Sequence, residues 1–193
     1  KAEALARRIA DIHPGCDVRC IEEFADADNW PGLLPGQVDA VIDACDQSKA
    51  KLALAAWARR TGTAFVTCGA AGGKRRAEQL GIDDLHATTH DPLLASLRQR
   101  LRSQHGAPRT GKMGVRCVFS RESVAPPKPE EAACDIGEVP TDADATADAE
   151  PRGAAAEVWR DNTLNCHGYG STVVVTASFG MAAAGEIIAQ LLK

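Results

Sequence analysis

The chain has 193 residues, 45% hydrophobic and 25% charged, the balance of an ordinary globular protein and not of a collagen-like, coiled-coil or wholly disordered one. Its 26 acidic and 22 basic residues give a net charge of -4, which argues against nucleic-acid binding over the whole surface and leaves room for a local basic patch. Seven cysteines, an odd number with no C-x-x-C pair, argue against a secreted disulfide framework and a structural zinc site, and point to a reducing, cytoplasmic setting.

The chain opens on Lys-Ala-Glu, without Met and without the charged-then-apolar pattern of a signal peptide. Leu5, Ile9 and Ile12 share one face of a helix predicted from about Ala2 to Ile12, and no capping residue precedes it, so the expectation is that an upstream portion has been lost. His13-Pro14-Gly15 breaks that helix, residues 17–24 read as a short strand, and residues 25–36 as an acidic connection punctuated by Gly and Pro. Residues 38–45 (VDAVIDAC) form a compact apolar run that ends at Asp46. The helical spacing of Ala, Leu and Trp over Ser48–Thr61 follows, with Gly62 as its stop. Residues 63–70 (TAFVTCGA) supply the next buried strand, and strand, helix, strand within so short a span implies a parallel crossover.

Gly69-Ala70-Ala71-Gly72-Gly73 does not fit G-x-G-x-x-G, and reads either as a flexible turn or as a place where backbone approaches a ligand. Asp91-Pro92 is an N-cap with proline at the first helical position, opening a helix over Pro92–Gln104, and residues 112–120 (KMGVRCVFS) alternate like a strand. Between residues 97 and 121 stand seven basic residues, Arg98, Arg100, Arg102, Arg109, Lys112, Arg116 and Arg121, and no acidic one. Such a field holds an RNA backbone or is simply a solvated basic face, and Lys74, Arg75 and Arg76 extend it.

From about residue 126 to 152 the composition changes, with eight acids and no Lys or Arg between Pro129 and Glu150, the signature of a solvated, disordered insertion. Without those eight, 18 acidic residues face 22 basic ones, so the folded remainder is basic. Residues 172–192 carry one charge, Glu186, and pass a window scan for a membrane span. The β-branched Val173, Val174 and Val175 and the Ala-rich tail from Met181 fit better a final strand and a fully buried helix packed on a parallel sheet, so membrane insertion is not expected.

Several blocks, in order VIDACDQSKAKLAL, FVTCGAAGG, HDPLLASLRQRLR, GKMGVRCVFSRE and NCHGYGSTVVVTASFG, resemble the tRNA threonylcarbamoyladenosine dehydratases, a branch of the ubiquitin-activating-like adenylating enzymes. The resemblance covers most of residues 1–120 and 162–193, and the acidic residues 126–161 lie outside it. It implies an α/β fold, a Rossmann-like and mostly parallel sheet with flanking helices that lacks its first nucleotide-binding βαβ unit. Residues 1–125 would be the carboxy-terminal part of the adenylating domain and residues 162–193 its final strand and helix. It further implies ATP-dependent activation of the threonylcarbamoyl carboxylate beside a tRNA anticodon and closure of the acyl adenylate into a ring with loss of water. Because the attacking atom is tethered at high effective molarity, such chemistry asks mainly for phosphate positioning.

By resemblance, Lys1 matches a lysine set against the ATP phosphates, its plain alternative being a solvated terminal lysine. Asp46, just past a strand's carboxyl end, matches the carboxylate that serves Mg-ATP, its alternative being the cap of the next helix, and Asp43 reads as a structural carboxylate. Arg98, Arg102, Arg109, Lys112 and Arg116 are candidate tRNA contacts. Cys166 and Cys117 match recurring cysteines and are candidates for a redox or sulfur-relay role, against the plainer readings of a loop cysteine and a core cysteine. The implied partners are tRNA, a second copy in a homodimer and a cysteine-desulfurase or sulfur-acceptor system. Two other functions stay open: a non-catalytic remnant that binds tRNA or a sulfur-transfer protein, and an adenylyltransferase for a ubiquitin-like carrier.

Overall fold

The computed structural model describes residues 2–124 and 170–193, so Lys1, Cys166 and the acidic segment 126–161 lie outside the described residues. Strands β1 (Ala40–Asp43), β2 (Ala64–Cys68), β3 (Leu80–Asp84) and β4 (Arg116–Ser120) form one sheet in the order β1-β2-β4-β3. β1, β2 and β4 run parallel, with Val41 opposite Phe65 and Thr67 opposite Cys117, while β3 lies antiparallel along β4 with Ile82 opposite Val118. The helices are α1 (Ala2–Ile12), α2 (Ser48–Thr61), α3 (Pro92–Gln104) and α4 (Val173–Leu191). The fold is α/β, a parallel-dominated sheet flanked by helices.

The two central strands, β2 and β4, are buried on both faces, which is why they read as continuous apolar runs. Phe65 of β2 with Cys117 and Phe119 of β4 packs against Trp57 of α2 and Leu94, Leu97 and Leu101 of α3. The alternate residues Val66, Cys68 and Val118 meet a stripe of α4, Val175, Phe179, Ala183 and Ile187. Gly62, at φ 73, ends α2 by donating its N–H to the Ala58 carbonyl, a left-handed geometry that glycine adopts without strain. Asp91 caps α3 as its sequence signal implies, accepting from the Leu94 N–H at 3.0 Å.

Several expectations are corrected. Residues 17–24 are not a strand: residues 11–24 are all exposed, and among the described residues no neighbour supplies the ladder on which a strand depends. β4 begins at Arg116, not at Lys112, because Gly114 turns at φ 75 and the N–H groups of Met113, Gly114 and Val115 point at the Asp84 carboxylate instead of a neighbouring strand. β3 itself, LGIDD, carries a glycine and two aspartates and so gives no apolar pattern to read.

The three valines 173–175 form no strand; they open α4. Nor is α4 fully buried, since only every fourth residue, Val175, Phe179, Ala183 and Ile187, is buried, while Val174, Met181 and Ile188 are 53%, 76% and 57% exposed. By length and composition α4 could cross a membrane, with a mean hydropathy of 1.4, yet its buried stripe lies on β2 and β4. α1 forms as expected but buries no residue, leaving its Leu5, Ile9 and Ile12 face open.

Candidate active site at the carboxyl edge of the sheet

Parallel strands present their carboxyl ends on one edge, the side where open α/β sheets bind ligands. Here β1 leads to Asp46, β2 to the glycine loop 69–73, and β4 to residues 121–124. The N-terminus of α3 closes against the glycine loop through Asp91, whose Oδ2 accepts from the Ala70 N–H at 2.8 Å. A Cβ at Gly69 would collide with that carboxylate, so the loop's first glycine is demanded by close approach to α3.

Beneath the edge lies a buried charge cluster. The Lys51 ammonium of α2 is fully buried and donates to Asp43 Oδ2 at 2.8 Å, to Thr67 Oγ1 at 2.9 Å and to the Cys68 carbonyl at 3.0 Å. Thr67 donates onward to Asp43 Oδ2 at 2.7 Å, while the N–H and thiol of Cys45 take the other oxygen at 3.1 and 2.9 Å. A buried ion pair is tolerated only when its remaining hydrogen bonds are met, as all of these are. The cluster clasps the ends of β1 and β2 at the points from which Asp46 and Gly69 depart. Burial silences the nearby thiols: with the Asp43 charge added it pushes Cys45 up to about 12, and it pushes Cys68 up to about 11 against the pull of Lys51.

Asp43 is thus the structural carboxylate expected, and Asp46 is a different case. Among the described residues nothing hydrogen-bonds or pairs with the half-buried Asp46 carboxylate, and the cap position of α2 is held by Gln47 with no side-chain bond. The cap alternative for Asp46 is therefore not realised. No cluster of three or more His, Cys, Asp or Glu able to hold a metal exists among the described residues. A single open carboxylate suits Mg, which takes one or two carboxylates and fills its other positions with substrate phosphates and water.

Two concavities flank α3. A groove of about 340 Å³ is lined by Arg98, Arg102 and Arg109 together with Gln99 and Ser103. A larger cleft of about 620 Å³ lies between the glycine loop, residues 88–93 and residues 123–124. Three of the expected tRNA contacts therefore converge, and Lys112 is exposed nearby in sequence. Arg98 is partly committed, with one guanidinium nitrogen donating to the carbonyls of Leu85 and Thr88 at 3.0 and 2.9 Å.

Arg116 stands apart, on the α4 side of the sheet, where it makes a two-pronged pair with Glu186 at 2.9 and 3.2 Å. That hydrogen bond raises the Arg116 pKa and holds the Glu186 carboxyl below its usual range. An arginine so engaged is a packing element, which removes it from the candidate RNA contacts. Lys74 is also withdrawn from the basic surface: it is 3% exposed, burial pulls its pKa down, and its ammonium donates to the carbonyls of His90 and Ser120 at 3.1 and 3.0 Å. Cys117 is fully buried, with burial pushing its thiol well up, so it is a core residue and not a redox or relay group.

Sequence reasoning overlooked Lys51 and the cleft. The lysine had a signal: it falls on the inward face of α2 with Leu54, Ala55 and Ala58, one strand-end carboxylate upstream. The cleft had none, because its walls come from three separated segments.

The sequence profile of the ThiF family matches residues 1–193. The chain belongs to the ThiF family. This ThiF-family chain is 35% identical to the tRNA threonylcarbamoyladenosine dehydratase of Escherichia coli (strain K12) over 195 residues, covering 100% of the chain and 66% of that protein. It is 32% identical to the Haemophilus influenzae protein of the same name over 196 residues, with 100% and 66% covered. Among solved structures, the E. coli tRNA N6-threonylcarbamoyladenosine dehydratase in complex with ATP is similar at a TM-score of 0.74 and 32% identity, over 99% of this chain and 63% of that one. The complex of the same enzyme with AMP gives the same values. The chain thus spans just under two thirds of these ThiF-family relatives.

Proposed function

We propose that the protein carrying this chain is an ATP-dependent tRNA threonylcarbamoyladenosine dehydratase. It adenylates the threonylcarbamoyl carboxylate and lets the adenylate close into a ring, with net loss of water. The observation that supports this above others is the likeness, over essentially the whole chain, to E. coli dehydratase structures in complex with ATP and AMP. The alternatives of a non-catalytic remnant and of an enzyme for a ubiquitin-like carrier have no such observation behind them.

In this reading Asp46 would hold Mg with ATP, and the metal would supply positive charge that offsets the charge on the phosphates. The Asp43–Lys51 cluster keeps the Asp46 segment and the glycine loop at fixed separation, so the site needs little reorganisation. The attacking atom belongs to the substrate, and no protein nucleophile is called for. Arg102, Arg109 and the uncommitted nitrogens of Arg98 grip tRNA phosphates, with Lys112 at the edge.

Lys1 as a phosphate contact and Cys166 as a sulfur-relay group remain proposals of the resemblance alone, as do the sulfur-system partner and a cytoplasmic location. A homodimer has one physical support, the outward apolar stripe of α4 formed by Val174, Met181 and Ile188, which a second copy would cover. The test of the function is mass spectrometry of tRNA digests after incubation with the whole protein, ATP and Mg. Loss of one water from threonylcarbamoyladenosine is expected, and an unchanged mass would refute the reaction.

A further inference from the structure

The two concavities on α3 meet. Ala95 and Arg98 line both of them, so the arginine groove adjoins the larger cleft at the carboxyl edge. Their chemistry differs. The groove presents guanidinium groups suited to a sugar-phosphate backbone, whereas the cleft has apolar walls, Ala70, Pro92, Leu93 and Val124, polar atoms from Thr89, His90 and Ser123, and the charged Lys74 and Asp91, both engaged with backbone groups. Apolar walls with few uncommitted polar groups match a base, which has two apolar faces and a hydrogen-bonding edge. At about 620 Å³ the cleft falls within the roughly 300–1,000 Å³ of small-molecule sites, room for one nucleoside but not for a stacked helix.

The cleft is also preformed. Lys74, from beneath, ties residue 90 to residue 120 through their carbonyls, and Asp91 holds the glycine loop against α3. On its rim His90 takes a left-handed φ of 55, uncommon for any residue but glycine, with its ring exposed and Nδ1 3.0 Å from Thr89 Oγ1. A strained residue that carries a planar ring to the mouth of an apolar cleft is a stacking surface for a base.

We propose that this cleft receives a single nucleoside turned out of the stack of an RNA whose backbone lies in the arginine groove. Enzymes that act on a base must expose it in this way. The inference rests on the tRNA-modifying reading above and adds the place where the target residue sits. The adenosine of free ATP has the same chemistry, but the groove that adjoins the cleft fits a polymer of phosphates, so RNA is the assigned source.

The probe is an RNA hairpin in which 2-aminopurine replaces the target adenosine beside the anticodon, titrated with the whole protein. Its fluorescence is expected to rise as the base leaves its stack. Ser123→Trp and, as a second filling variant, Thr89→Trp alter exposed positions on the cleft away from the groove. Each is expected to bind the hairpin within about threefold of the unaltered protein while losing the rise about tenfold, since backbone grip and base insertion are separate contributions. A full rise in both filled variants, or a rise that excess ATP abolishes, would overturn the proposal. Dehydration of tRNA is followed in parallel. A rise without loss of water supports the cleft and refutes the reaction, whereas loss of water without a rise refutes the cleft and leaves the reaction standing.

Discussion

Two aspartates three positions apart, Asp43 and Asp46, have opposite surroundings, and so their replacement has opposite consequences. Asp46 bonds to nothing among the described residues, so Asp46→Asn is expected to shift unfolding free energy by no more than about 0.5 kcal/mol. If Asp46 serves Mg-ATP as proposed, loss of its charge should slow conversion by about 100-fold or more. Denaturant titration together with tRNA mass spectrometry measures both effects. Lys51→Met strands the Asp43 carboxylate, 2% exposed, without its cation, and a broken buried pair costs about 3–5 kcal/mol. The urea midpoint of that variant should fall steeply. A small fall would mean that Thr67 and Cys45 alone suffice to hold the carboxylate.

At the scale of the element, α3 has a face for packing, with Leu94, Leu97 and Leu101, and a face lining the groove, with Arg98, Arg102 and Arg109 opposite it from the loop that follows. Because Arg98 also holds the carbonyls of residues 85 and 88, reversing its charge would disturb folding as well as binding. The cleaner variant is Arg102→Glu with Arg109→Glu. For every phosphate that the altered groove no longer neutralises, the dependence of log affinity on log salt should become shallower by about 0.7–0.9. Arg100 reaches toward the Ser48 carbonyl at 3.4 Å and lies outside the groove, so Arg100→Glu is the control expected to leave the slope unchanged. Filter binding of tRNA at several salt concentrations reads the difference. Helix α4 likewise divides its faces, and Met181→Asp with Ile188→Asp is expected to turn the proposed dimer into a monomer in sedimentation without loosening the stripe on the sheet.

Two further carboxylates tie distant segments together, Asp84 joining β3 to the residues before β4 and Glu186 joining α4 to β4. Burial alone would push the Asp84 carboxyl up, but the N–H groups of Met113, His86 and Gly114 with the His86 ring outweigh it and hold it below its ordinary value. The hydrogen bond from Arg116 does the same for Glu186. A carboxyl lowered by folding stabilises fully above its unfolded value, about pH 4, and loses that contribution as pH falls through the lower folded value. Acid unfolding is therefore expected to begin below about pH 4, and Asp84→Asn should flatten that limb of the stability-pH curve while lowering stability at neutral pH.

Local signals determined a good part of this protein. The bounds of α2 and α3, the glycine stop at Gly62, the cap at Asp91 and the buried strands around β1 and β2 were legible because each rests on contacts within a few residues or on one-dimensional periodicity. The same holds for Asp46, whose position after a strand end is a matter of chain order. What only the tertiary structure decided involves partners far apart in the chain: β3 is a strand because β4 accepts it, residues 17–24 are not because nothing does, and α4 is helical from its first valine because the sheet buries every fourth residue. Lys51 is buried because Asp43, Thr67 and Cys68 converge on it, and Arg116 is removed from the basic surface by Glu186, seventy residues away. A pattern along one chain records which side chains prefer burial or water; which charges find each other is set by packing, and here packing chose the site.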